Sequence, residues 1–273
     1  MTGVPNTTAV SGALLAGWLL LAGAAAAADA IPRGADGKPD FSGIWESTSG
    51  ADYGLEARAG RPDAPPSAGV VDDGDLPYQS WAAVQRDSNF AARETADRTR
   101  LQCYTLGVPR SVYFPAPFQI FQRERDLTLV GQFGAVRTIH KNGTQHPEGP
   151  FGFWLGDSRA AWEGDTLVVD VVDFNEETWL DRAGNFHSDA LRVVERWTLL
   201  AADTIEYRAT VEDSKVFTEP WSLTVLLQRH QEPGFQLIEN YCFTHEYDEF
   251  YPFPTTRFVP PENGRPEIVS SDR

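Results

Sequence analysis

Residues 153–198 read FWLGDSRAAWEGDTLVVDVVDFNEETWLDRAGNFHSDALRVVERWT, and their periodicity decides the fold. In DTLVVDVVDF and LRVVERWTLL the apolar side chains recur at every second position, the period of a half-buried β-strand. Glu163-Gly164-Asp165, at the start of the first of these runs, reads as a turn that joins it to the strand before. Working outward, PFQIFQRE (Pro117–Glu124), DLTLVGQF (Asp126–Phe133) and AVRTIHK (Ala135–Lys141) precede the block. DTIEYRATVED, WSLTVLLQRH and GFQLIENYCF follow it. FGFWLGDSRAAWEG (151–164) is read as a strand as well, and Asn142-Gly143 as another turn. Eight or nine short strands at regular spacing argue for an antiparallel barrel or sandwich. Sequential strands with few helices favour a closed up-and-down barrel, which leaves no exposed sheet edge.

Flanking segments differ in kind. Ala13–Ala30 is apolar and ends in small residues that fit an A-x-A cleavage site, so residues 1–30 read as a signal peptide, although no Lys or Arg precedes Arg33. The expected localisation is export to the periplasm, with no stable membrane insertion after cleavage. Residues 31–100 hold an opening strand, a Gly/Pro/Ala/Asp-rich loop or loosely ordered flap over Thr48–Leu76, and one helix. That helix, Pro77–Arg98, sets Trp81, Val84 and Ala91 near one face. The barrel domain spans 101–250, and the proline-rich 251–273 forms an extended tail. A net charge of −16 argues against nucleic acid as a partner, and means an anionic ligand needs local Arg or Lys. Cys103 and Cys242 are the only cysteines. In an oxidising compartment they read as one disulfide, contributing about 4–5 kcal/mol in the chain-entropy model, with two buried thiols as the alternative.

Alternation also sorts side chains onto faces. Glu195 shares a face with Val193 and Trp197, Tyr207 with Ile205 and Ala209, Arg229 with Val225 and Leu227, and Glu239 and Tyr241 with Leu237. Charged groups on core-facing sites form either a structural polar network or a ligand site, because an unpaired buried charge is too costly. His187 lies in the loop that opens the Glu195 strand, a position typical of catalytic groups. Trp162 is placed in the core. No nucleophile elbow, phosphate-binding glycine loop or metal-ligand spacing occurs, so neither cofactor nor metal is expected.

Gly43-x-Trp45 resembles the opening strand of lipocalins, where the Trp closes the barrel base. The expected fold class is therefore all-β: a lipocalin-like antiparallel barrel with one N-terminal helix and extended tails. GKPDFSGIWE, CYTLGVPR, PFQIFQ, the GDSRAAWEGDTLVVD…TWLDRAGNFHSDALRVVERW block and IENYC, in that order, resemble a large family of exported bacterial proteins, most without assigned activity. That resemblance implies export, a Cys103–Cys242 bridge and one barrel domain. The chain departs from the family pattern at Lys141–Pro147, and at Asp157 and Arg159. A further resemblance is to cofactor-free lyases of lignin-derived aromatic dimers, including decarboxylating phenylcoumaran ring-openers. It implies a small aromatic acid as substrate. Expected roles are Arg137 or Arg196 as carboxylate clamp, His187 and Tyr241 as acid and base, and Glu195 as orienting partner. Trp154 and Trp179 serve as walls, with Tyr207, Arg229 and Glu239 also lining the site. Arg196 alternates away from Glu195, so the two share a site only on a bulged strand. Alternatives are a non-catalytic carrier of an aromatic or apolar ligand, and a structural envelope protein.

Overall fold

A computed structural model describes residues 30–62, 64–101 and 103–238, with the isolated residues 1 and 3. Nine strands close into a barrel: β1 Gly43–Ser47, β2 Phe118–Gln122, β3 Asp126–Gly131, β4 Val136–His140, β5 Asp157–Glu163, β6 Thr166–Val172, β7 Arg192–Ala201, β8 Thr204–Glu212 and β9 Trp221–Arg229. The helices α1 Ser80–Ala91, α2 Arg93–Ala96, α3 Arg98–Leu101 and α4 Arg110–Tyr113, with a 3-10 turn at Ala51–Tyr53, all fall between β1 and β2. The chain is thus an all-β barrel with few helices. No described helix is long and apolar enough to cross a membrane.

Strand alternation accounts for the core. β6 buries Leu167, Val169 and Val171; β7 buries Val193, Glu195, Trp197 and Leu199; β8 buries Ile205, Tyr207, Ala209 and Val211. Register aligns these into layers, with Leu167, Trp197, Tyr207 and Val225 forming one. Trp45 lies fully buried, its indole N–H donating to the Phe41 carbonyl at 2.8 Å. Each such large side chain contributes about 1.5–3 kcal/mol by leaving water. Gly164, at φ +61°, makes the tight β5–β6 turn read from the sequence, with Glu163 paired to Thr166.

The strand order and the first helix differ from the sequence reading in three ways. First, the barrel is not purely up-and-down. An odd-numbered ring cannot close with every neighbour antiparallel, and here β4 and β5 are parallel. Residues 141–156 return the chain from one end of the barrel to the other, so 151–156 form no part of a strand and Asn142-Gly143 is no hairpin turn. Second, β1 seals the ring by pairing with both β2 and β9. GFQLIENYCF therefore does not contribute the closing strand within its described part: residues 234–238 lie outside any strand, with Ile238 72% exposed. Third, α1 does not bury its apolar residues. Ala82 alone is buried there, while Trp81 and Val84 face outward.

The tight turns at 163–166 and 201–204 gather at one barrel end, and the long connections 48–117 and 173–191 at the other. The stretch expected as a loose flap is packed there, with Ala51, Asp52 and Leu55 fully buried and Val71 bridging to Leu223 on β9. One core cluster runs from Phe41 to Leu227 and includes Ala82, so residues 31–100 pack into the barrel's own core. Trp162 is half-buried rather than central, stacked on Phe41 at 5.8 Å at the tight-turn end. Cys103 is disulfide-bonded, while Cys242, Glu239, Tyr241 and the tail 251–273 lie outside the described residues, as does most of 1–30.

Candidate functional site

Inside the barrel a polar network forms from β4, β5, β7 and β8; of the residues expected on inward faces it holds Glu195 and Tyr207, while its cation is Arg137 rather than Arg229. Arg137 grips Glu195 with two nitrogens, Nη1 to Oε1 at 2.9 Å and Nη2 to Oε2 at 2.5 Å. Nε and Nη2 also donate to Ser158 Oγ at 3.1 and 3.0 Å, and the Tyr207 hydroxyl donates to Glu195 Oε1 at 2.8 Å. All four side chains are buried. Burial acts to lower the Arg137 pKa, but the Glu195 charge and hydrogen bonds outweigh it and leave it raised. Burial, followed by the Glu195 charge, pushes the Tyr207 phenol well above its ordinary value, so it stays a neutral donor. The Arg137 fork is thus already filled by protein. The cavity beside it, lined by Leu106, Phe114, Phe118 and Leu129, is about 40 Å³. That is room for a water and far too little for an aromatic acid.

The other expected residues are dispersed. Arg196 points outward from β7 and pairs with Glu163 at 2.9 Å, the two-sided placement its alternation foretold. Arg229 lies over the Trp45 ring at 4.2 Å and donates to the Ala202 and Ser42 carbonyls, closing the tight-turn end. His187 is buried: Nδ1 lies 2.9 Å from the Ser188 carbonyl and Nε2 2.8 Å from Thr178 Oγ1. Because a carbonyl only accepts, Nδ1 carries the proton and Nε2 accepts from the threonine, leaving neither nitrogen for a substrate. Burial lowers its pKa. Trp179 bridges Phe186 across the same loop.

That loop is latched by Asp181, whose carboxylate accepts from the backbone N–H groups of Leu55, Ala183 and Asn185 and from the Asn185 amide. Burial nevertheless raises its pKa to about 6. The latch delivers Arg182 to the loop end of the barrel. Its Nε lies 2.6 Å from Asp52 Oδ2, an ion contact without hydrogen-bond alignment, and its guanidinium lies over the Tyr53 and Phe114 rings at 4.7 and 5.8 Å. Asp52 is held from its other oxygen by buried Arg110 of α4 at 2.8 Å. Burial acts to lower the Arg110 pKa, and the charges of Asp52 and Asp97 outweigh it.

Arg182 and Arg110 line a cleft of about 410 Å³ whose walls include Tyr104, Leu106, Phe114 and Phe133. The Arg182 side chain is 36% exposed, and its two terminal nitrogens have no hydrogen-bond partner among the described residues. Trp154 packs edge-on against Tyr104 at 4.5 Å, behind this cleft rather than as a wall of the site expected around Arg137 and His187. The Thr99 and Thr105 hydroxyls beside it are buried without partners among the described residues. Sequence reading missed Asp52, Tyr104, Arg110 and Arg182. Arg182 sits inside TWLDRAG and Arg110 inside CYTLGVPR, both conspicuous segments, but no periodicity brings them to one cleft. Comparison with known proteins gives no match to a family model, a curated protein or a solved structure.

Proposed function

We propose that this protein is an exported, lipocalin-like carrier that binds a small aromatic carboxylic acid in the loop-end cleft. One observation carries the reading: Arg182, whose terminal nitrogens have no hydrogen-bond partner among the described residues, lines a space walled by Tyr104, Leu106, Phe114 and Phe133. A volume of about 410 Å³ suits a one- or two-ring ligand. A guanidinium matches a carboxylate bidentately, and in a chain of net charge −16 such a local cation is what an anionic ligand requires. Asp52 anchors Nε, so the fork is oriented before ligand arrives.

A second reading, a cofactor-independent lyase or decarboxylase on the same aromatic acid, draws on the Tyr104 phenol, the one phenolic O–H among the cleft's lining residues. Titrating 4-hydroxybenzoate and a hydroxylated cinnamate, followed by Trp fluorescence and calorimetry, tests both. Binding is expected, weakened about 10- to 100-fold in Arg182→Ala, the equivalent of losing one charge-assisted contact. The matching neutral amides should lose affinity comparably. Acids and amides that bind alike would sink the proposal. Release of CO₂ in the same samples selects the lyase.

A further inference from the structure

A different surface carries unused chemistry. Trp81 is 53% exposed on α1, an outlay of apolar area that the fold does not need, since Ala82 is the residue through which the helix is buried. It stands over a groove of about 800 Å³ between α1 and the 176–188 loop. The Phe186 ring meets it edge-on at 6.0 Å, and Trp179 lines the same groove. Gln85 and Asn89 follow Trp81 at successive i+4 positions, so an aromatic ring and two amides form one helix stripe about 12 Å long. Gln85 donates to Asn89 at 2.8 Å and Asn89 to the Gly184 carbonyl at 3.1 Å, which fixes both amides and leaves the Gln85 oxygen open. Across the groove, Arg98 is spent on Glu177, while Glu176 is exposed.

We infer that this groove is a binding site for a neutral oligosaccharide, separate from the aromatic-acid cleft. Three alternatives fit it worse. An anion would meet Glu176 and Glu177 in a chain of charge −16. A wholly apolar ligand would cover the open Gln85 amide oxygen and the Glu176 carboxylate without offering either a hydrogen bond. An extended peptide adding as a strand needs a free sheet edge, and the barrel is closed. A pyranose chain matches both halves of the wall: its C–H faces stack on the rings of Trp81, Trp179 and Phe186, and its equatorial hydroxyls bond the planar amides and carboxylate.

The full-length protein is titrated with cellohexaose, xylohexaose, mannohexaose and chitohexaose by calorimetry, beside Trp81→Ala and Gln85→Ala. At least one sugar is expected to bind, with affinity falling tenfold or more in Trp81→Ala and severalfold in Gln85→Ala. Because Trp81 is exposed, both variants should keep the parent's circular dichroism and its 4-hydroxybenzoate response. No binding of any of the four at millimolar sugar, or binding unchanged in Trp81→Ala, overturns the inference. Failure of the aromatic-acid titration alone leaves these readouts intact, since they report a different site.

Discussion

Replacing Glu195 by Gln separates a structural ion pair from a working site. In the native barrel Arg137 is charged and buried, and both Glu195 oxygens face its fork. The amide is nearly isosteric and retains one oxygen for Arg137 or Tyr207, but removes the compensating charge. Breaking one partner out of a buried pair costs about 3–5 kcal/mol. In a domain of this size that is a fall in Tm of about 6–20 °C, at 2–4 °C per kcal/mol. Urea unfolding followed by Trp fluorescence reads the free energy directly, at an unchanged m-value. The double variant Arg137→Met/Glu195→Leu removes both charges and should recover most of the loss. Aromatic-acid affinity should survive in every variant that folds. A destabilisation below about 1 kcal/mol for Glu195→Gln, accompanied by loss of ligand binding, would refute the reasoning and return the quartet to the role of a ligand site.

Further expectations concern the latched loop. Asp181, raised to about 6, binds a proton in the folded state at pH values where the unfolded chain has released it. Its contribution therefore favours folding below pH 4 and is lost as pH rises towards 6, by about 3 kcal/mol at most. Carbon-13 NMR of the carboxyl should show a midpoint near 6; a midpoint under about 3 would mean that its four N–H donors outweigh burial. His187, its pKa lowered by burial, is neutral when folded, so the stability tied to it is present above the ordinary histidine pKa and is lost as pH falls below it. Nitrogen NMR at neutral pH should find the proton on Nδ1. His187→Ala should cost about 1–3 kcal/mol of stability, through the stranded Thr178 hydroxyl and Ser188 carbonyl, without altering ligand affinity; a tenfold affinity loss would restore its catalytic reading.

The barrel was legible because period-two alternation is dictated by the pleat. It located β6 to β9 and named Glu195 and Tyr207 as inward polar groups, and the register confirms that they share the interior. The same alternation could not show that Arg137 would saturate them, since that partner comes from β4, 58 residues away. GFQLIENYCF has a strand's pattern, yet β1 already holds the closing position beside β9. Trp81 and Val84 look like a core stripe until the packing of α1 through Ala82 is known. The loop-end cleft was illegible for a topological reason. Asp52, Tyr104, Arg110 and Arg182 come from single helical turns and loops with no periodicity to announce the contact, and Asp52 latches the two arginines together.

The parallel seam between β4 and β5 gives the Arg137 fork a mechanical meaning. Only Ile139–Ser158 and His140–Arg159 are in register there, so this is the shortest run of backbone pairing in the ring. Arg137 on β4 reaches Ser158 on β5 with one side of its guanidinium and Glu195 on β7 with the other, fastening the weak joint to the longest strand from within. Breathing of the cylinder should begin at this joint, with amide exchange at Ile139 and Arg159 outpacing that of β7 and β8. Loss of the internal rivet would turn a closed wall into a slit.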